Sequence, residues 1–350
     1  MKSVAIIGAN GYVGSYLTKA LAAHYRVTAL LRSRDSLCRP AHGVQYQTIA
    51  EPLQHFDIII NTSYALHKHK KICAMQNDDM IQLLQRISHE QTFIVHLSSL
   101  AVFGFGLDLE VRAEAVPTRN DYAYVYSKTD MENKLLATFG SERLAIIRLG
   151  NVWGPGNTSY TQPVIDSLLW GLPLMPEQPG MSNLTHIHNI VSYIKHLLSS
   201  NQHLTFHHLA EWSHMNWQQV IEEMAEILGA TPCVLQQQPY YPRTISEELD
   251  HAFSKSIIEA IKTLRNGRFT AAYFPEEIIT ALLKQLAPLK KPKEPPQSGA
   301  VAIPETFIWV LNCKQSFTNA WVTGWIPPLK WSDALPELKE WMKQSGYIIS

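Results

Sequence analysis

Residues 3–14, Ser3-Val-Ala-Ile-Ile-Gly-Ala-Asn-Gly-Tyr-Val-Gly14, constrain the fold more than any other stretch of the chain. Val4, Ala5, Ile6 and Ile7 form a continuous apolar run, the pattern of a central parallel strand buried on both faces. Gly8, Gly11 and Gly14 follow, and then a helical pattern with Val13, Leu17, Leu21 and Ala22 on one face. A strand that turns sharply into a helix points backbone N–H groups and the positive end of the helix dipole outward, toward where a pyrophosphate would lie. The glycines are needed because a Cβ would block the turn, the approach of a phosphate, or the close helix–strand contact. This context predicts a dinucleotide site built on Gly8, Asn10, Gly11, Tyr12, Val13 and Gly14.

The rest of the chain extends the same alternation. Val27–Leu31 reads as a second strand that ends at Arg32, Ser33 and Arg34. An acidic residue there would grip the ribose 2′-hydroxyl of NAD, whereas arginine pairs with the 2′-phosphate of NADP, so Arg32 and Arg34 favour NADP over NAD. Phe56–Ile60 is the next strand, and Asn61, Thr62 and Ser63 at its end lie where a cofactor crosses the carboxyl edge of a sheet. His67, Lys68, His69, Lys70 and Lys71 read as a solvated loop, since no carboxylate or cysteine completes a metal set, and no metal is expected. Asn77 opens a helical stretch, Phe93–Leu97 is a strand running into Ser98 and Ser99, Asp121 starts another helix, and Leu144–Leu149 is a further buried strand. Strands alternating with helices imply a parallel, doubly wound sheet, because parallel neighbours need crossover connections.

Beyond about residue 157 the alternation weakens and prolines accumulate. Helices are readable over 190–198 and 217–228, the second ending at Gly229 in a C-terminal cap position. Residues 240–285 look helical and amphipathic, and Lys290–Ser298 reads as a surface loop. The expected fold is therefore α/β, a Rossmann-type doubly wound parallel sheet with a smaller, mostly helical C-terminal substrate-binding lobe. Residues 1–156 form the dinucleotide-binding domain, which also receives segments from about 184–212, and 157–350 form mainly the substrate lobe.

The 350 residues carry 30 Lys plus Arg against 30 Asp plus Glu. No net charge draws the chain to nucleic acid or an acidic membrane surface, and the expected partner is a small-molecule substrate. Cys38, Cys73, Cys233 and Cys313 show no paired spacing, which suggests reduced thiols. The first strand begins almost at Met1 and no apolar run reaches membrane-spanning length, so a soluble, cytoplasmic protein without membrane insertion is expected.

The chemistry rests on Tyr124 and Lys128, four residues apart at a helix start and so one turn apart on one face. A phenol with a free pKa of about 10 is a poor base at neutral pH, and a neighbouring ammonium lowers that value by favouring the phenolate. Ser99, at a strand end, is placed to hydrogen-bond the substrate oxygen that gains or loses the proton while a nicotinamide carries the hydride.

These segments together resemble the extended subgroup of the short-chain dehydrogenase/reductase superfamily, the NAD-dependent epimerases and dehydratases. Gly8-Ala-Asn-Gly-Tyr-Val-Gly14 is similar to the subgroup's GxxGxxG turn, Tyr124-Val-Tyr-Ser-Lys128 to its YxxxK signature, and Ser98-Ser-Leu-Ala-Val-Phe-Gly104 to its serine-bearing strand end. Arg148-Leu-Gly-Asn-Val-Trp-Gly-Pro-Gly156 resembles the segment whose asparagine, here Asn151, lines the substrate pocket. His186-Ile-His-Asn-Ile190, Thr323-Gly-Trp-Ile-Pro327 and Trp331-Ser-Asp-Ala-Leu335 resemble later elements of the subgroup. The resemblance implies Ser99, Tyr124 and Lys128 as catalytic residues, with Lys128 also a ribose ligand. It implies Asn77 as the helical asparagine of a tetrad, and a homodimer through the helices bearing Asn77 and Tyr124.

Departures from that pattern narrow the chemistry. Sugar-nucleotide 4,6-dehydratases carry threonine, aspartate and glutamate where this chain has Ser99, Leu100 and Ala101, so elimination of water is disfavoured. Leu100 also replaces the cysteine of the epimerase-reductases. Ser182 and Asn183 stand where many nucleotide-sugar enzymes have arginine and aspartate, which weakens a diphosphate-bearing substrate. The leading expectation is an NADP-preferring oxidoreductase that interconverts a secondary alcohol and a ketone. A nucleotide-sugar epimerase using transient oxidation by bound NAD(P) is the alternative, and a non-catalytic dinucleotide sensor or assembly factor is the second. Residues 235–316, with Tyr240, Tyr241, Phe253, Tyr273, Phe274, Phe307 and Trp309, match no part of the subgroup.

Overall fold

Every side chain of β1 (Ser3–Ile7) is buried, and the pleat sends Val4 and Ile6 to one face of the sheet and Ala5 and Ile7 to the other. A run without polar alternation is what a strand covered on both faces requires. The computed structural model describes residues 1–33, 40–65, 67, 69–104, 110–111, 123–171, 173–200, 202–235 and 310–347. Its remaining strands are β2 (Arg26–Leu31), β3 (Gln45–Thr48), β4 (Ile58–Asn61), β5 (Phe93–Ser99), β6 (Glu110–Val111), β7 (Leu144–Leu149), β8 (Asn151–Trp153), β9 (Pro173–Pro176), β10 (Leu184–His186), β11 (Phe206–Leu209), β12 (Cys233–Leu235) and β13 (Ser316–Phe317). Among the described residues, the α-helices are α1 (Tyr12–Leu21), α2 (Lys70–Ile87), α3 (Ala123–Phe139), α4 (Thr161–Leu169), α5 (Ile187–Ser199), α6 (Trp217–Leu228) and α7 (Trp331–Gln344).

Seven strands make one sheet in the order β11-β7-β5-β4-β1-β2-β3. Each neighbouring pair is parallel, with Ile6 between Ala29 of β2 and Ile60 of β4. The chain leaves β1 toward β2 and β3 and returns to β4 on the other side. That reversal opens a crevice at the carboxyl ends of β1 and β4, where open parallel sheets hold their ligands. Gly8 and Asn61 stand at those two ends.

Both faces are covered. Leu17 and Leu21 of α1 and Ile190, Ile194 and Leu197 of α5 pack on Val4, Ile6, Ile60, Val95 and Ile147. Leu83, Leu84 and Ile87 of α2 and Met131, Leu135 and Phe139 of α3 pack on Ala5, Ile59, Ile94 and Ile146. Truncating one such leucine to alanine costs about 2–5 kcal/mol. The result is the doubly wound Rossmann-type sheet that the alternation predicts.

Two features differ from the pattern read in the sequence. The helix carrying Asn77 begins seven residues earlier, at Lys70, with His69 as its N-cap. Lys70 and Lys71 therefore belong to its first turn and not to a loop. Burial of Cys73 and the Lys70 ammonium, 5.6 Å from the Tyr126 ring centroid on α3, extend the helix over that face. The sheet also contains β3 and β11, whose residues are too polar to read as strands from periodicity.

Helix α6 carries a reciprocal capping box between Asn216 and Gln219, and its C-cap Gly229 is left-handed at φ 64°. Residues Met1–Leu235 and Ile303–Ser350 form one compact unit and Gln236–Ala302 a second. All described residues belong to the first. The amphipathic stretch 240–285, the loop 290–298 and the seven aromatics from Tyr240 to Trp309 lie outside the described residues.

Candidate active site

The turn after β1 is glycine for steric reasons that the structure makes explicit. Gly8 sits at φ +81°, and a Cβ there would come within 2.6 Å of the Thr62 hydroxyl. At Gly14 a Cβ would lie 2.2 Å from the Gly8 carbonyl oxygen, so this glycine lets α1 run directly against the turn. The Gly11 N–H donates to the Gly8 carbonyl at 2.9 Å, and the first bond of the helix is Ser15 N–H to Gly11 C=O at 2.9 Å. The amides of Tyr12, Val13 and Gly14 precede that bond at the helix N-terminus, and all three residues line a cavity of about 690 Å³. The cradle fits the pyrophosphate of a dinucleotide.

Beside it, β4 supplies a second polar edge. The Thr62 hydroxyl bonds the carbonyls of Ile7 and Gly8 at 2.9 and 3.1 Å, tying β4 to the turn. Asn61 Oδ1 accepts from the Ser63 N–H and hydroxyl at 3.0 and 2.7 Å, which directs its Nδ2 to donate to His96 Nδ1 at 3.1 Å. His96 therefore carries its proton on Nε2. Burial, and then the Lys128 charge, push its imidazole well below the ordinary range, so it stays neutral.

The proposed chemistry converges at the mouth of β5. Ser99, the last residue of that strand, accepts the Ala101 N–H at 3.2 Å, which leaves its hydroxyl hydrogen to donate. Tyr124 and Lys128 face the same cavity from the start of α3, as do Ser99, Thr62 and Asn151. Lys128 is 5% exposed, and its ammonium donates to the Leu97 carbonyl at 2.9 Å. Burial lowers its pKa to about 8, partly offset by Glu132, so at neutral pH it remains mainly an ammonium. That charge stands 5.9 Å from the Tyr124 ring centroid and favours the phenolate.

Other expected residues are placed differently. Asn77 does not line the cavity: it is buried between α2 and α3, where its amide donates to the Ser127 carbonyl at 2.9 Å and to Asp130 at 2.8 Å. Asn10 is exposed on the turn, and Arg32 is exposed just past β2; neither lines the cavity. Arg34 lies outside the described residues. Asn151 donates to the Ser182 carbonyl at 2.7 Å. Ser182 is buried, while Asn183, at φ 44°, reaches the cavity wall and donates to the Gln315 carbonyl at 2.8 Å.

Two further residues, Tyr64 and Asn157, shape the site without a motif in the sequence. Tyr64 meets Tyr124 edge-on at 5.6 Å and lies 4.9 Å from the Lys128 ammonium; its signal is an aromatic residue directly after the Asn61-Thr62-Ser63 strand end. Asn157 accepts the N–H groups of Ser159, Tyr160 and Thr161 at 3.0, 2.7 and 3.3 Å and so shapes the opposite wall. The Tyr12 phenol donates to the Pro155 carbonyl at 3.0 Å, joining the glycine turn to the loop after β8. Burial raises that phenol above its ordinary range.

Comparison with known proteins agrees with the fold. Residues 4–174 match the model of the NAD dependent epimerase/dehydratase family. Comparison with the curated proteins finds no match. Among solved structures, MoeE5 in complex with UDP-glucose and NAD aligns over 98% of this chain and 99% of its own, at 16% identity and TM-score 0.61. The Bordetella bronchiseptica enzyme WbmH in complex with NAD+ aligns over 71% and 91%, at 16% identity and TM-score 0.55. UDP-N-acetylglucosamine 4-epimerase from Methanobrevibacter ruminantium aligns over 68% and 86%, at 18% identity and TM-score 0.56. At these identities the likeness is one of fold.

Proposed function

The chain belongs, over residues 4–174, to the NAD dependent epimerase/dehydratase family, and on that premise we propose that it is a dinucleotide-dependent enzyme interconverting a secondary alcohol and a ketone. The observation that carries this is the Lys128 ammonium, buried, anchored on the Leu97 carbonyl and set beside the Tyr124 ring at the mouth of a cavity bounded by the α1 N-terminus. Tyr124 takes or returns the hydroxyl proton, Lys128 holds the phenol in its reactive form and binds the nicotinamide ribose, and Ser99 donates to the substrate oxygen. The bound nicotinamide supplies hydride acceptance and donation. Gly11, Tyr12, Val13 and Gly14 hold its pyrophosphate.

A nucleotide-sugar epimerase is the second reading, supported by the sugar-nucleotide ligands of structural neighbours that align over most of this chain. Leu100 and Ala101, in the short 3-10 turn after Ser99, offer no carboxyl acid or base and so favour redox or epimerase chemistry over elimination. At the adenosine ribose, Arg32 is exposed at the end of β2 and supports NADP, whereas neighbouring structures hold NAD; both cofactors enter the test. The reading includes a homodimer through α2 and α3, which family resemblance implies, and a reducing cytosol, for which the unpaired spacing of the cysteines is the ground.

The test is turnover of secondary alcohols and UDP-sugars with NAD or NADP, wild type against Tyr124→Phe. Tyr124-dependent conversion is expected, with tight cofactor retention marking an epimerase and free exchange a reductase. Equal biological activity of the two proteins would instead favour a non-catalytic dinucleotide sensor.

A further inference from the structure

Behind the cavity, Glu132 and Arg148 form an ion pair in which both side chains are 2% exposed. Arg148 Nη2 donates to Glu132 Oε2 at 2.7 Å and Nε to Oε1 at 3.1 Å, a two-pronged geometry that fixes both planes. Ser98 adds its hydroxyl to Oε1 at 2.5 Å. The Phe103 and Phe206 ring centroids lie 5.0 and 4.2 Å from the guanidinium, and His208 Nε2 lies 3.3 Å from Nη1. Burying two charges costs several kcal/mol for each before their attraction is counted, and an apolar pair of similar volume often serves a fold as well.

What these three residues join explains why charge is placed there. Ser98 precedes Ser99 on β5 and is the register partner of Arg148 on β7. Arg148 lies three residues before Asn151. Glu132 lies one helical turn after Lys128 on α3. We propose that Glu132, through Ser98 and Arg148, is a positioning residue that locks Ser99, Lys128 and Asn151 into one arrangement for dinucleotide and substrate. This deepens the site assignment above and rests on it. The groups that bear on Lys128 are Tyr124 and Glu132 from its own helix, His96 and the Leu97 carbonyl from β5, and Tyr64 from the segment after β4. His96 is neutral, so Glu132 is the carboxylate favouring the ammonium.

The experiment compares the full chain with Glu132→Gln and with Glu132→Gln/Arg148→Met, which removes both charges at similar volume. Acylation of Lys128 by acetic anhydride, followed by peptide mass spectrometry from about pH 6 to pH 10, reads its titration; NADH titration reads the site. The double variant is expected to unfold cooperatively near wild-type stability. Its Lys128 should titrate below the wild-type value of about 8, and a fall of about half a unit speeds acylation at pH 7 roughly two- to threefold. NADH affinity should fall about tenfold, the effect of about 1.4 kcal/mol. A double variant that folds with unchanged Lys128 titration and unchanged NADH affinity would overturn the proposal. So would a double variant that cannot fold, because the pair would then belong to the fold and not to the site. Failure of both NADH and NADPH to slow Lys128 acylation in the wild type would refute the dinucleotide site itself, separately from the strut.

Discussion

Replacing Lys128 with methionine should make the protein more stable at neutral pH. The fall of the lysine pKa from 10.5 to about 8, caused first by burial, corresponds to roughly 3 kcal/mol at about 1.36 kcal/mol per tenfold step in proton affinity. Below pH 8 the folded chain carries this cost in full, because the ammonium must be held away from water. Between pH 8 and 10.5 the unfolded chain binds more protons than the folded one, so native stability rises with pH and the cost is relieved. Methionine removes the charge at similar length. It forfeits the hydrogen bond to the Leu97 carbonyl at 2.9 Å, about 1 kcal/mol, and contacts with the Tyr64 and Tyr124 rings at 4.9 and 5.9 Å, about 0.5–1 kcal/mol. The net expectation is stabilisation by about 1–2 kcal/mol at pH 7, and a relative recovery of the wild type by about 2 kcal/mol by pH 9.5. Urea unfolding of both proteins at the two pH values measures this. A Lys128→Met protein that is less stable at pH 7, or a gap that does not change with pH, would refute the assignment of Lys128 as a charge held at a cost to the fold.

Further outcomes follow from the same geometry. Gly14→Ala drives a Cβ to 2.2 Å from the Gly8 carbonyl, so urea unfolding should show a loss of about 1–3 kcal/mol, accompanied by loss of measurable NADH binding. Tyr124→Phe should lower turnover by about 10²–10⁴ while calorimetry finds dinucleotide affinity within about twofold of wild type, since the phenol acts on substrate. Arg32→Ala should weaken NADPH about tenfold, within the range of one charge-assisted hydrogen bond, and leave NADH unchanged; equal loss of both would remove the 2′-phosphate role.

Much of the frame was legible because it obeys local rules. Val4 to Ile7 must be apolar throughout since both faces of β1 are covered, and the glycine spacing after it reflects contacts within one turn. The Tyr124–Lys128 pair was legible because four residues make one turn of helix. What stayed hidden depends on partners distant in sequence. β11 carries His207 and His208, polar by composition, yet they are buried because Tyr193 and Arg148 receive them. β3, Gln45–Thr48, is a half-exposed edge strand without an apolar signature. The true start of α2 depends on α3, where the Tyr126 ring centroid lies 5.6 Å from the Lys70 ammonium. Tyr64 joins the site only because β4 delivers it to a helix that begins some sixty residues later. Gly150 gives no hint of its role until Asn183 is seen, whose carbonyl would stand 2.1 Å from a Cβ there. Asn77, which the family resemblance sets among the catalytic residues, makes its side-chain hydrogen bonds at the junction of α2 and α3.

The measurement that bears most directly on the account is a parallel titration of cofactor-free protein with NADH and NADPH, followed by nicotinamide fluorescence, for wild type and Gly14→Ala. Saturable binding to the wild type, lost in Gly14→Ala, is the predicted result, and the stronger of the two ligands fixes the cofactor. Absence of binding by either nucleotide to folded wild-type protein would contradict a dinucleotide cradle at Gly8–Gly14, and with it the redox chemistry assigned to Tyr124 and Lys128.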